Sequence, residues 1–184
     1  MNHLGTLELE TARLRLRRFR PEDAGSCLEN WAADERVFRF LSQTPMSRAD
    51  VEKWLAGADE AYASPATYYW AIEKREAPGV IGEIFVDDFS ERNGWCEIDY
   101  KLGPAFWGQG YAAEALAAVM ACLFDQVGFH RVQAKCSVGN AASERVMEKA
   151  GMHREGVLRE YFRRKDGSGY DGVVLYAVLK GETL

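Results

Sequence analysis

One long crossover constrains this chain more than any other feature. A strand-like segment, Trp95 to Leu102, passes through Gly108 and Gly110 into an apolar helical stretch from about Ala112; Gly128 ends the helix, and a strand follows from Arg131 to Cys136. A connection of that length does not join hairpin neighbours; it builds a strand–helix–strand unit. The helix carries Leu116, Val119, Leu123, Phe124 and Val127 and is so poor in charge that it should be buried over much of its circumference. At its start, Gly108 and Gly110 allow a tight backbone bend, and the first turn offers up to four N–H groups with no internal partner. With the positive end of the helix dipole, such a bend suits a phosphate or diphosphate.

Two familiar phosphate motifs can be tested at once. A P-loop closes on Gly-Lys-Ser or Gly-Lys-Thr, whereas this bend closes on Gly110-Tyr111-Ala112. A dinucleotide fingerprint fits Gly108 to Ala113 in its permissive form, but it requires an acidic residue at the end of the next strand. Here that strand ends in Lys135, Cys136 and Ser137.

The flanking regions read differently. Arg13 to Phe19 alternates, with Leu14 and Leu16 on one side and Arg13, Arg15 and Arg17 on the other, as a half-buried strand does. Pro21-Glu22-Asp23 opens a helix through Leu28 and Trp31, and Ser47 can cap a second one carrying Val51, Trp54, Leu55, Ala58 and Tyr62. The aromatics of this region, Phe40 and Trp54 among them, suit either core packing or an acceptor wall. Three strands follow, Tyr68 to Glu73, Val80 to Phe89 and Trp95 to Leu102, joined through Ala77-Pro78-Gly79 and Asn93-Gly94. Connections that short make antiparallel neighbours. After the crossover come Asn140, a short helix with Val146, Met147 and Ala150 on one face, Gly151 as its stop, and a hairpin, roughly Gly156 to Arg164 and Tyr170 to Lys180. The expected class is α/β (α+β): a mixed, largely antiparallel central sheet flanked by helices, in one domain spanning residues 1–184.

A net charge of −5 argues against general affinity for nucleic acid or an anionic membrane and favours a cationic partner such as an amine. No apolar run reaches membrane-spanning length and Met1 to Gly5 lacks the parts of a signal peptide, so the expected location is cytoplasmic. Cys27, Cys96, Cys122 and Cys136 are scattered, as reduced structural thiols are, and His3, His130 and His153 lack metal-ligand spacing, so no metal is expected.

Two stretches then carry a resemblance: Trp107-Gly108-Gln109-Gly110-Tyr111-Ala112-Ala113-Glu114-Ala115, and Asn140-Ala141-Ala142-Ser143-Glu144-Arg145-Val146-Met147-Glu148-Lys149-Ala150-Gly151. In this order and spacing they resemble the GCN5-related N-acetyltransferase (GNAT) superfamily, and more closely its branch that includes the ribosomal-protein N-terminal acetyltransferases. The opening Leu9-Glu10-Thr11-Ala12-Arg13-Leu14-Arg15-Leu16 and the closing Tyr170-Asp171-Gly172-Val173-Val174-Leu175-Tyr176 are similar to that branch too. The resemblance implies acetyl-CoA as cosubstrate, lying where the strand ending near Leu102 splays from the strand beginning near Arg131. Its diphosphate would meet the N–H groups around Gln109 to Ala112, beside Trp107, Gly108, Gly110 and Tyr111. Strand N–H groups near Tyr100, Lys101 and Leu102 would polarise the thioester carbonyl. Asn140 matches the position that contacts the cofactor's pantetheine arm or phosphate end, and it also suits a helix N-cap.

Acetyl transfer to an amine needs a neutral nucleophile, stabilisation of the developing oxyanion, and a proton for the departing thiolate. Glu97 and Asp99 stand two apart on the strand and should share a face unless a bulge intervenes; they are candidates to hold an ammonium and pass on its proton, or a pair of solvated carboxylates. Many superfamily members carry Tyr where this chain has Met147, and a thioether has no proton to give. Ser143, one turn earlier, matches the serine of the branch and is the candidate acid, or else a first-turn hydrogen-bonding residue. The expected activity is direct transfer to a primary amine, a protein N-terminus favoured and a small amine possible, with Phe40, Trp54 and Glu97 on the acceptor side. The alternative is a CoA-binding sensor or interaction module that has lost catalysis. Monomer and homodimer stay open, since the edges of the terminal hairpin could pair.

Overall fold

In the computed structural model, residues 1–182 are described. An eight-stranded sheet runs through them in the order β1-β2-β3-β4-β5-β6-β8-β7. Its strands are β1 (Leu9–Glu10), β2 (Leu14–Arg17), β3 (Tyr69–Lys74), β4 (Ala77–Ser90), β5 (Trp95–Leu102), β6 (Arg131–Ser137), β7 (His153–Arg163) and β8 (Tyr170–Leu179). The helices are α1 (Ala24–Cys27), α2 (Arg48–Ala61), α3 (Tyr111–Cys122) and α4 (Ala141–Lys149). Every strand pair is antiparallel except β5 and β6, which the crossover through α3 makes parallel.

Alternation along the strands divides the molecule into two cores. On one face Leu14, Leu16, Trp70, Ile72, Ile84, Ile98, Val132 and Tyr176 pack with Leu116, Val119 and Met120 of α3 and with Met147 of α4. No residue of α3 is exposed, as its sparse charge predicts. On the other face a smaller core joins Phe19, Cys27, Trp31, Val51 and Leu55 to Ala71 and Val80.

Several expectations are corrected. The helix opened by Pro21 is not uniform: a 3-10 turn (Pro21–Asp23) leads into α1, and a π-helical turn (Leu28–Ala32) follows. Ala77-Pro78-Gly79 lies inside β4 rather than in a connection, the register shifting beside it at Glu73. Arg17 is not on a solvent face. The second core covers that side of β2, so the guanidinium is buried and compensated by two 2.8 Å bonds to Asp23 and one of 3.1 Å to Glu73. The Ser47 cap forms as expected, its hydroxyl accepting from Asp50 N–H. All four cysteines are free and buried.

The π-helical turn matters because it places the Asn30 carbonyl against the end of β5. A Cβ on Gly103 would lie 2.1 Å from that oxygen, although the backbone there, φ −63°, ψ 144°, suits any residue. Close approach alone therefore demands glycine. Gly103→Ala should lower stability by about 1–3 kcal/mol, read as a shift of the urea midpoint; an unmoved midpoint would show that the contact gives way freely.

Candidate active site

β5 and β6 pair only at Trp95↔Arg131, Cys96↔Val132 and Glu97↔Gln133. Beyond Glu97 the strands part, although β5 continues to Leu102 and β6 to Ser137. The edges that face each other across this splay have lost their ladder. On the β4 side β5 stays paired through Leu102, so the opening is one-sided. One hydroxyl contact joins β5 to α4 beside the splay: Tyr100 Oη lies 2.7 Å from Ser143 Oγ and donates to the Ser143 carbonyl at 3.2 Å. Burial pushes the Tyr100 phenol far up, so it keeps its proton across the neutral range.

The glycine bend stands at the wide end of the splay. Gly108 and Gly110 adopt φ +74° and +83°, left-handed values that side chains strain to reach. Gly110 is the N-cap of α3, and no side chain caps that helix among the described residues. The bend is braced from within by Trp107 Nε1 donating to the Leu102 carbonyl (2.6 Å) and Gln109 Nε2 donating to the Ala105 carbonyl (2.8 Å). Trp107 itself is about half exposed. The uncapped amides of Tyr111 and Ala112 open the helix, the arrangement that receives an anion. Asn140 caps α4, its Oδ1 accepting from Ser143 N–H at 3.3 Å.

On the opposite face lies a cluster of charge. Glu97 and Asp99 share that face as expected, while a bulge falls in the neighbouring strand, between Val86 and Asp88. Glu97 is buried, 2.7 Å from Lys135 Nζ and accepting from Gln133 Nε2 at 2.8 Å. Glu83 is buried too, paired with Lys101 and accepting from Tyr69. Both lysines are thus taken. Half-buried Asp99 pairs with neither, and burial, with the charges of Asp87 and Glu97, raises its carboxyl from 3.8 to about 6 against the pull of Lys101 and Lys135. Sequence reasoning found Glu97 and Asp99 but missed Asp87, Glu83, Lys135 and Gln133. The consecutive acids Asp87-Asp88, which break the alternation of a strand, were the available signal for the bulge.

The segment after α1 spans the mouth of the splay on this face. It leaves the end of β5 at Asn30 and reaches the end of β6, where Ser137 Oγ donates to the Phe40 carbonyl at 3.1 Å. Lys165, in the β7–β8 turn, donates to the carbonyls of Phe38 (3.2 Å) and Gln43 (2.6 Å). Phe40 stays partly exposed there. Trp54 packs in the second core against Phe19, Trp31 and Tyr69, one residue removed from Glu83. Among the described residues no group of three His, Cys, Asp or Glu side chains is placed to hold a metal, and no helix is long and apolar enough to cross a membrane.

Because the folded state holds Asp99 protonated to about pH 6, ionising it costs stability between pH 4 and 6, roughly 3 kcal/mol by the displacement from 3.8. The penalty is absent below the unfolded value and complete above the folded one. Asp99→Asn should therefore raise the melting temperature at pH 7.5 and leave it nearly unmoved at pH 4; equal effects at both would mean that Asp99 is not displaced.

Comparisons with known proteins identify the fold and the family. The family model for the acetyltransferase (GNAT) domain matches residues 13–153. The chain is 30% identical over 172 residues to the uncharacterized N-acetyltransferase YoaA of Bacillus subtilis (strain 168), covering 94% of this chain and 96% of that protein. The crystal structure of an acetyltransferase (GNAT family) from Bacillus anthracis superposes with a TM-score of 0.84 at 24% identity, over 96% of this chain and 100% of that one. A ribosomal-protein-S5-alanine acetyltransferase from Vibrio fischeri shares the fold, with a TM-score of 0.81 at 14% identity over 96% and 98% of the two chains. With most of its length matched by the family model and by relatives of the same extent, this chain belongs to the GNAT acetyltransferases and is an acetyl-CoA-dependent N-acetyltransferase.

Proposed function

We propose that the enzyme acetylates a primary α-amine, a protein or peptide N-terminus or a small amine of the same acidity, with Asp99 as the base. The observation that carries this reading is Asp99, the half-buried carboxylate left over, beside exposed Asp87, when Lys101 and Lys135 have been neutralised by Glu83 and Glu97. An unneutralised acid on the acceptor face attracts an ammonium, and a base near 6 is weak enough that the acidity of the amine decides how readily it is deprotonated. Proton transfer from an α-amine near 8 to a base near 6 costs roughly 3 kcal/mol, and from a lysine amine near 10.4 roughly 6 kcal/mol. The weaker acid is disfavoured by about two orders of magnitude.

The other roles follow from position. The bend from Trp107 to Ala112 fits the diphosphate of acetyl-CoA, with main-chain N–H groups of Gly108, Gln109, Gly110, Tyr111 and Ala112 as donors and Asn140 at the far wall. The pantetheine arm would run between the parted strands, where the free edge of β5 from Tyr100 through Lys101 to Leu102 can offer a donor to the thioester oxygen. Asp99 takes the ammonium proton and passes it to solvent, the neutral amine attacks that carbonyl carbon from the Asp99 side, the carbon–sulfur bond breaks, and the second nitrogen proton goes to the departing thiolate. Ser143, whose hydroxyl rests against Tyr100, can turn its one proton to the departing sulfur, a hydrogen bond that Met147, buried in the core, cannot give. Glu97 holds Lys135 in place, while Phe40 and Trp54 belong to the elements that bound the acceptor.

CoA release from acetyl-CoA should be measured with lysine amide blocked at either its α- or its ε-nitrogen. The α-free acceptor should be used the better, with a kcat/KM limb rising through an apparent pKa near 6 that Asp99→Asn abolishes. Preference for the ε-amine, or a limb that survives the substitution, would remove Asp99 as base. Ser143→Ala should lower kcat tenfold or more while the affinity for acetyl-CoA changes little; an unaltered kcat would take Ser143 out of the mechanism.

A further inference from the structure

The proposed diphosphate bend is held from outside by a residue that belongs to neither the bend nor the helix. Arg13, just before β2, lies beside Gly110: a Cβ built on that glycine would stand 3.4 Å from Arg13 Nη2. Its guanidinium makes three contacts there. Nη1 donates to the Gln109 carbonyl at 2.9 Å, Nε donates to Glu114 Oε2 at 2.7 Å, and the plane lies 4.5 Å from the centre of the Tyr111 ring. Glu114 is fixed from the same hairpin by Thr11 Oγ1 at 2.6 Å and by Arg13 N–H at 3.0 Å. Burial would raise the Glu114 carboxyl, but these bonds outweigh it and hold it below its usual value.

Two of these contacts bear on anion binding, those to Gln109 and Glu114. In a trans peptide the carbonyl and the N–H point opposite ways, so a guanidinium holding the Gln109 carbonyl on one side aims the Gly110 N–H to the other. Glu114 sits in the first turn of α3, where its charge stabilises the helix but would repel a diphosphate arriving at the same end. Arg13 neutralises it. Thr11 and Arg13, both outside the splay, thereby connect the β1–β2 hairpin to the cofactor end of the molecule.

We propose that Arg13 is a positioning residue for the acyl donor: paired with Glu114, it orients the Gly110 amide and cancels the carboxylate's repulsion, so that the bend accepts a diphosphate. This rests on the reading of that bend as the CoA diphosphate site. Two donors separate the roles: acetyl-CoA, and S-acetyl-pantetheine, which carries the same thioester without diphosphate or nucleotide. In Arg13→Gln the KM for acetyl-CoA should rise about tenfold or more while that for S-acetyl-pantetheine moves less than twofold. Arg13→Lys, which keeps the charge but loses the fork, should show a smaller loss with the same donor dependence and serves if the first variant fails to fold. An equal loss with both donors would reduce Arg13 to general stability and overturn the proposal, as would an unmoved KM for acetyl-CoA. If the wild-type protein prefers neither donor over the other, the diphosphate site itself fails, and the positioning role with it.

Discussion

The structure turns on a ladder that stops early. Three register pairs join β5 to β6, after which two strands that could have continued together do not. Unpaired backbone groups inside a protein carry a free-energy cost, so a parting of this kind needs causes and a use. The causes are visible on both sides. β4 follows β5 through Leu102, and it does so at close quarters: a Cβ on Gly82 would fall 2.2 Å from the Lys101 carbonyl, so that glycine lets the pair stay together while β6 turns away. β6 is held in the other direction by β8, with which it pairs along its whole length from Arg131 to Ser137. Each strand of the splay is thus bound to its outer neighbour more fully than to the other. The use we propose is a slot whose walls are main chain, open to an extended ligand that would take the place of the missing strand.

Alternation along β5 then gives the slot two different ends. Tyr100 and Leu102 point to the side of α3 and α4, where the helix N-terminus opens and where the Tyr100–Ser143 contact joins β5 to α4. Glu97, Asp99 and Lys101 point to the other side, where carboxylates outnumber the lysines that could neutralise them. A donor placed between the strands would present its thioester at the boundary between a neutral, hydroxyl-bearing side and an acidic one. The acidic side is kept at a cost, since Asp99 would be more stable in the folded protein as its amide, and natural proteins tolerate such costs where chemistry needs a group out of its ordinary state.

How far this was legible beforehand depends on whether a feature is local. Strand Trp95 to Leu102, the Ser47 cap, the Gly128 and Gly151 stops and the buried character of α3 rest on spacing or on single residues, and the structure places them within a residue or two. The glycine bend was legible for the same reason. Arg17 was not, because burying an arginine depends on Asp23 and Glu73 arriving from elsewhere. Nor was the assignment of Lys135 to Glu97 and of Lys101 to Glu83, which decides that Asp99 is the carboxylate left over; charge pairing across strands is invisible until register is known. Arg13 read as one member of an alternating strand, while its partner Glu114 lies about a hundred residues away in the chain.

The same distinction explains why the donor half of the site is easier to recognise than the acceptor half. Binding through backbone amides asks of the sequence only glycines at two positions and a helix start, so the demand is narrow and leaves a fixed imprint. The proposed acceptor face is made of side chains from β4, β5 and β6, from the segment between Asn30 and Gln43 and from the β7–β8 turn, joined by contacts such as Ser137 to Phe40 and Lys165 to Gln43. Those contacts lie outside the strand ladders that hold the splay open. A fold built this way can keep its acyl donor while its acceptor changes, and the residues that choose the acceptor carry no motif because their positions, and not their spacing in sequence, bring them together.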